Sequence, residues 1–299
     1  MSKVTTRLGL GTVQFGFDYG VANVSGRPDD DEVSNILRDA VDCGIETIDT
    51  AAAYGASEAV LGRCLPRMAA VRLVTKTRPL RERTEAGDAA AWIRDGFSRS
   101  LGRLNRESVE GLLVHHAADL LGPCGDAIYR ELVRLKKEGL VRKIGLSAYA
   151  GTEVDAVLER YDIDQIQIPV NVFDQRLVAG GQLHRLRRRG VEMHVRSVFL
   201  QGLLLMDPRS LPAYFEPIRP QMRALHEALR DKGLTPPQGA LAFVRSLEID
   251  VVLVGVESSA QLRANRNDFE RSAASGVDFT QFALDQDSFL NPSRWKLAA

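Results

Sequence analysis

The feature that most constrains this chain is a rhythm in which short runs rich in Val, Ile and Leu alternate with longer stretches of helical period, eight times over. The strand-like runs fall at residues 7–12, 46–51, 71–77, 109–116, 143–149, 164–171, 192–198 and 251–256. Helical candidates fall at 31–43, 57–65, 89–104, 126–137, 152–160, 179–189, 237–247 and 259–270. Nearly continuous apolar strands separated by helices indicate a parallel sheet covered on both faces, and eight such units close a (β/α)8 TIM barrel. In the first helix Val33, Ile36, Leu37, Ala40 and Val41 share one face behind an acidic start, and Gly44 stands where a left-handed cap would end it. A single domain over residues 1–299 then accounts for the chain, whose 44% hydrophobic content suffices for one large core.

Two parts fall outside the rhythm. Residues 199–235 form a long loop after strand seven, with Pro208, Pro212, Pro217 and Pro220 and an amphipathic segment around 222–229, and a loop of that length is expected to be functional. The tail after Asp278 holds no ninth unit and is expected to fold over the barrel mouth.

Charge and targeting signals narrow the function. Lys plus Arg (39) equals Asp plus Glu (39), so neither a nucleic-acid partner nor an acidic solvating tail is expected. The basic run Arg185-Leu186-Arg187-Arg188-Arg189 ends the sixth helical candidate and reads as cations complementing a helix C-terminus. No stretch has the length of a membrane span and the first residues lack a signal-peptide pattern, so a cytoplasmic protein is expected. Cys43, Cys64 and Cys124 are odd in number and contain no C-x-x-C, which suggests neither a disulfide framework nor a zinc site.

Barrel enzymes carry their working groups at the C-terminal ends of the strands. There the second strand runs into Asp49-Thr50-Ala51-Ala52-Ala53-Tyr54-Gly55, the third holds Lys76, and the fourth ends Leu112-Leu113-Val114-His115-His116. A phenol is a poor acid unless its anion is stabilised; an ammonium beside it favours phenolate, and a buried carboxylate keeps that ammonium charged. Imidazole can donate a hydrogen bond to a carbonyl oxygen. Singly, each residue has a structural alternative: Asp49 as a strand brace, Tyr54 as a rim residue, Lys76 as a side chain reaching solvent. Adjacent His115 and His116 should face opposite sides of a strand, one towards the barrel and one towards the helices, so they would not share a metal, and no metal is expected.

Asp49-Thr50-Ala51 through Tyr54-Gly55, Lys76 in Val-Thr-Lys-Thr and His115 in Leu-Leu-Val-His, taken in order, resemble the aldo-keto reductase family over essentially the whole chain. The resemblance implies an NAD(P)H-dependent oxidoreductase that reduces an aldehyde or ketone to an alcohol. Tyr54 would be the general acid, Asp49 and Lys76 would tune it, and His115 would position the carbonyl. The cofactor would lie extended across the barrel mouth rather than on a Rossmann unit. Gly9-Leu10-Gly11-Thr12-Val13-Gln14 starts like G-x-G-x-x-G but ends in Gln14, and reads as the first strand and its turn.

Cofactor contacts carry over to Gly11, Thr12, Ser147, Gln167, Arg196, Gln201, Gly255, Ser258, Ser259, Gln261 and Asn265. Ser147 and Gln167 would hold the nicotinamide carboxamide, with Ala148 where an Asn often follows the serine. Arg196 stands where an aromatic ring often stacks on nicotinamide, and a cation there would favour the reduced ring. Ser258 and Ser259 would donate to a 2′-phosphate at a helix N-terminus. With no Lys at Gly255, no Arg at Gln261 and Arg263 as a substitute, NADP(H) is expected to be preferred modestly over NAD(H). Residues 8–23 resemble a bacterial branch met among sugar and surface-polysaccharide genes, implying a sugar-like carbonyl substrate held by Phe15, Tyr19, Tyr54, His115, Phe173 and Phe199. The alternatives are a cofactor-binding regulatory member of the same fold, or a metal-dependent hydrolase or aldolase on a barrel.

Overall fold

Strand order follows from burial: β1 (Arg7–Gly11), β2 (Thr47–Asp49), β3 (Arg72–Lys76), β4 (Val109–Val114), β5 (Val141–Ser147), β6 (Gln165–Pro169), β7 (Glu192–Arg196) and β8 (Val251–Gly255) are buried along most of their length. Strands covered on both faces must be parallel and wrapped by helices. In the computed structural model each pairs with its sequence neighbours, and β8 closes on β1 with Gly9 opposite Leu253 and Gly11 opposite Gly255. The structure describes residues 5–67, 69–80, 85–272 and 276–297, and the remaining residues of the 1–299 span lie outside that description.

Around the barrel run α1 (Asp30–Asp42), α2 (Ser57–Cys64), α3 (Ala86–Leu104), α4 (Ala117–Leu121), α5 (Gly125–Lys137), α6 (Gly151–Arg160), α7 (Arg176–Ala179), α8 (Gln182–Arg188), α9 (Arg219–Asp231), α10 (Pro236–Arg245), α11 (Ser259–Arg271) and α12 (Asp287–Leu290). The first helix starts where Asp29 caps the Glu32 amide at 2.8 Å, and it is followed by Gly44 at φ +71°. The expected (β/α)8 barrel is therefore the observed one.

Several elements differ from expectation. The helix foreseen at 179–189 is two pieces, because Gly181 adopts φ +75° and breaks it. The short α4 follows β4 directly, and β4 stops at Val114 rather than His116. His115 and His116 thus lie beyond the strand, where alternation of faces no longer applies, and their rings approach to 5.2 Å instead of facing opposite sides.

The long loop after β7 is ordered by three 3-10 turns (Leu203–Leu205, Pro208–Ser210, Ala213–Ile218) and then α9, which buries Met222, Leu225 and Leu229. The tail is anchored to it and to the β6 side. Leu284 N donates to Phe173 O at 2.8 Å, Arg176 pairs with Asp287 at 2.9 Å, and Trp295 meets Phe215 edge-on at 4.8 Å. Pro292 and Ser293 reach the barrel mouth. No helix among the described residues is long and apolar enough to cross a membrane.

Candidate active site

Parallel registers bring the ends of neighbouring strands to one rim, so β2 delivers Asp49 beside β3 and β3 delivers Lys76 beside β4. Lys76 Nζ donates to Asp49 Oδ2 at 2.7 Å and to Thr50 O at 2.9 Å, and its side chain is fully buried. The other carboxylate oxygen accepts from Gln167 Nε2 on β6 at 2.7 Å. Burying an ion pair is tolerable only when the remaining lone pairs and protons are satisfied in this way. Burial by itself would lower the Lys76 pKa, but Asp49 and then Tyr54 reverse the direction and hold the ammonium above its ordinary value.

Tyr54 sits in the turn after β2, its amide donating to Ala51 O at 3.0 Å, with its ring centroid 4.9 Å from Lys76 Nζ. The turn is clamped by Ser57, whose hydroxyl bonds Thr12 O at 2.8 Å and the Thr50 hydroxyl at 3.0 Å. It is also pressed against the β1 loop, since a Cβ at Gly16 would lie 1.8 Å from Tyr54 O. Gly16→Ala is therefore expected to cost about 1–3 kcal/mol and to lower turnover by displacing Tyr54. Gly87→Ala in α3, where a Cβ meets nothing within 4 Å, should cost nothing, and chemical denaturation with steady-state rates checks both.

His115 meets the Tyr54 ring edge-on at 5.7 Å, and its Nδ1 is buried without a partner. Burial, then Lys76, His116 and Arg196, lowers its pKa to about 3. The imidazole is thus neutral at ordinary pH, one nitrogen a donor and the other an acceptor. The folded value lies below the ordinary 6.5, so the unfolded chain protonates first as pH falls. The stability contribution is complete above pH 6.5 and is lost as pH drops from there towards about 3. Rate profiles should show no imidazole step near 6.5, and wild type should lose melting temperature in that acidic window more steeply than His115→Gln.

These groups open on a cleft of about 680 Å³ that runs from Tyr54 and His115 to Asn265 and Asp268 on α11. Gly11, Thr12, Ser147, Gln167, Arg196, Gln201, Gly255, Gln261 and Asn265 line it, as do Tyr19 and Phe199. Lys76 lies behind Asp49. Phe15 and Phe173, expected as substrate walls, are fully buried in the core and do not line the cleft, so that expectation is corrected. Their apolar character reported burial, not which void they face.

Ser258 and Ser259, expected at a 2′-phosphate, do not line the cleft. The Ser258 hydroxyl caps α11 by accepting from Gln261 N at 3.2 Å, and Ser259 N donates to Glu32 Oε1 at 2.6 Å. Arg263, the expected substitute cation, is paired with Asp39 outside the cleft.

The loop after β7 carries Ser197, Leu200 and Gln201 at φ +61°, +48° and +56°, next to Gly202 at +87°. Such strain persists only where the surroundings enforce it. Here Gln201 O accepts from Val21 N at 3.0 Å and Gln201 Nε2 donates to the Tyr19 hydroxyl at 3.0 Å, joining the β1 and β7 loops over the mouth. Burial and the neighbouring Tyr54 push the Tyr19 phenol up to about 12, which leaves it a weaker acid than an ordinary tyrosine. Arg196 stacks at 4.0 Å on Tyr149 and donates to Ala148 O at 3.4 Å.

Gln14, Tyr149 and Glu257 line the cleft and were not singled out from the sequence. All three lie one to three residues beyond a strand end, and that position was the available signal. Gln14 fills the space a side chain at Gly255 would need, with Cβ-to-amide distances of 2.4 Å, and its Oε1 is buried without a partner. Among the described residues no group of His, Cys, Asp and Glu could hold a metal ion.

The aldo/keto reductase family model matches residues 7–281. An aldo-keto reductase from Mycobacterium ulcerans is 33% identical over 47% of each chain, so this chain spans about half the length of that relative in the matched part. The L-galactose dehydrogenase of Arabidopsis thaliana is 26% identical over 95% of this chain and 89% of its own. Among solved structures, the holo form of an aldo-keto reductase from Bacillus halodurans superposes with a TM-score of 0.72 at 21% identity, over 92% of this chain and 95% of that one, a likeness of fold.

Proposed function

This chain belongs to the aldo/keto reductase family, and from that premise we propose that it is a nicotinamide-dependent oxidoreductase interconverting a small aldehyde or ketone and its alcohol. The observation that carries the reading is the buried Asp49–Lys76 pair under the Tyr54 ring, with neutral His115 at the ring's edge, at the mouth of a cleft. The reading takes residues 1–299 as one barrel domain.

The cleft fits a dinucleotide. Gln167 and Gln14 each keep a buried amide oxygen without a donor, and Gly11 and Gly255 line the cleft at adjoining strand ends. Gln167 and Ser147 would hold the carboxamide, Arg196 and Tyr149 would flank the ring, and Gln261 and Asn265 would meet the far nucleotide. When bound, that group supplies or receives the hydride.

Tyr54 donates its phenolic proton to the carbonyl oxygen. The Lys76 ammonium lowers the cost of the resulting phenolate, and Asp49 keeps the fully buried ammonium charged. His115, neutral, offers one N–H to the same oxygen and orients it. In the reverse direction the phenolate takes the alcohol proton.

The substrate is proposed to be hydroxylated and sugar-like. The hydroxyl and amide groups of Tyr19, Ser197 and Gln201 lining the cleft support this, as does the name of the plant relative, an L-galactose dehydrogenase. Modest NADP(H) preference was expected from Ser258, Ser259 and Arg263, and none of the three lines the cleft. A panel of aldoses, ketoses and simple carbonyls, followed through cofactor absorbance with NADH and NADPH in parallel, tests the activity. Cofactor binding without turnover anywhere on the panel would overturn the enzyme reading in favour of a regulatory one.

A further inference from the structure

A reacting ring beside Tyr54 and His115 obliges a dinucleotide to place its other nucleotide at the opposite end of the cleft, against α11. The groups there are acidic or neutral. Glu257, Gln261, Asn265 and Asp268 line that end, and among the described residues Arg196, at the β7 end, is the only Lys or Arg lining the cleft at all.

The helix N-terminus, the natural anion site of such a segment, is already taken. Glu32 of α1 places a carboxylate oxygen 2.6 Å from Ser259 N, and Ser258, whose hydroxyl oxygen accepts from Gln261 N, does not line the cleft. Glu257 is held in the cleft wall: its backbone N–H donates to Gln261 Oε1 at 2.8 Å, and Gln261 Nε2 donates back to Glu257 Oε2 at 2.7 Å. Position 255 is glycine and carries no cation, and the Gln14 amide lies in the space beside it.

We propose that Glu257, with Glu32 seated on the α11 N-terminus, makes this chain select the nicotinamide dinucleotide that lacks a 2′-phosphate, so that NAD(H) is its cofactor. The inference rests on the cofactor reading above and deepens it. A 2′-phosphate carries between one and two negative charges and would meet the Glu257 carboxylate with no Lys or Arg among the described residues lining that end of the cleft, whereas a free ribose diol donates hydrogen bonds to a carboxylate. The same contrast between carboxylate and cation separates the two cofactors on unrelated folds.

Fluorescence titration of the unmodified protein with NADH and with NADPH reads the choice without any turnover. NADH is expected to bind about tenfold tighter or better, a like-charge penalty of ordinary size. Glu257→Gln, which keeps the bond to Gln261, should close most of that gap by tightening NADPH, and Glu32→Gln should close part of it. Arg263→Ala should leave the ratio alone. Raised salt should narrow the ratio in wild type and not in Glu257→Gln. Displacement of NADH by 5′-AMP but not by 2′,5′-ADP would locate the effect at the adenosine end.

Equal or tighter NADPH binding in wild type overturns the inference and leaves the cofactor reading standing. A ratio unchanged within about twofold in Glu257→Gln, with an unaltered melting temperature, overturns the role of that residue. Binding of neither dinucleotide overturns the cofactor reading and the inference together.

Discussion

Tyr54→Phe is expected to lower kcat/KM for carbonyl reduction by about a thousandfold, the usual contribution of a positioned proton donor, while leaving the dissociation constant for the cofactor within about twofold. The ring sits 4.9 Å from Lys76 Nζ and edge-on to His115 at 5.7 Å, contacts that phenylalanine keeps, while the hydroxyl's hydrogen bond with Lys76 is lost. The change therefore removes the proton and one hydrogen bond to Lys76, and little packing. Single-turnover rates under saturating cofactor separate this from a binding defect. Retention of full activity would sink the proton-donor role and leave the neutral His115 as the alternative acid.

The second large effect is expected at Lys76. Replacing it by Met leaves the Asp49 carboxylate, 5% exposed, with Gln167 as its one remaining side-chain donor, and breaking a buried ion pair from one side costs about 3–5 kcal/mol. Lys76→Met should thus unfold at clearly lower denaturant concentration and lose activity. The double variant Asp49→Asn with Lys76→Met removes the stranded charge and should regain most of the stability, to within about 1 kcal/mol, without regaining activity. A double variant that stayed as unstable as the single one would show that packing of the lysine stem, rather than the charge pair, dominates. Activity within tenfold of wild type in Lys76→Met would remove the lysine from the mechanism.

The barrel was legible because two periodicities repeat along the chain, and a pattern repeated eight times tolerates errors of a few residues at any one boundary. The break at Gly181 and the early end of β4 escaped, since both are decided by local backbone conformation that apolar patterning does not report. Asp49, Tyr54, Lys76 and His115 stood out for a related reason: each is a polar group at or just past the end of an apolar strand, where a parallel barrel puts its open rim. Phe15 and Phe173 misled because an aromatic ring is as well satisfied inside the core as on a pocket wall.

Sequence alone determined the architecture and the set of strand ends that can meet, because strand order in a parallel barrel follows chain order and side-chain period follows secondary structure. Tertiary structure decided what those ends do to one another. The Gln167 amide on Asp49 joins residues 118 positions apart, the Gln201–Tyr19 bond joins residues 182 apart, and the Glu32 carboxylate on the α11 N-terminus joins residues 227 apart. Such bonds depend on loop paths and rotamers set by packing, which no local pattern encodes. They determine which donors and charges the cleft has left to offer.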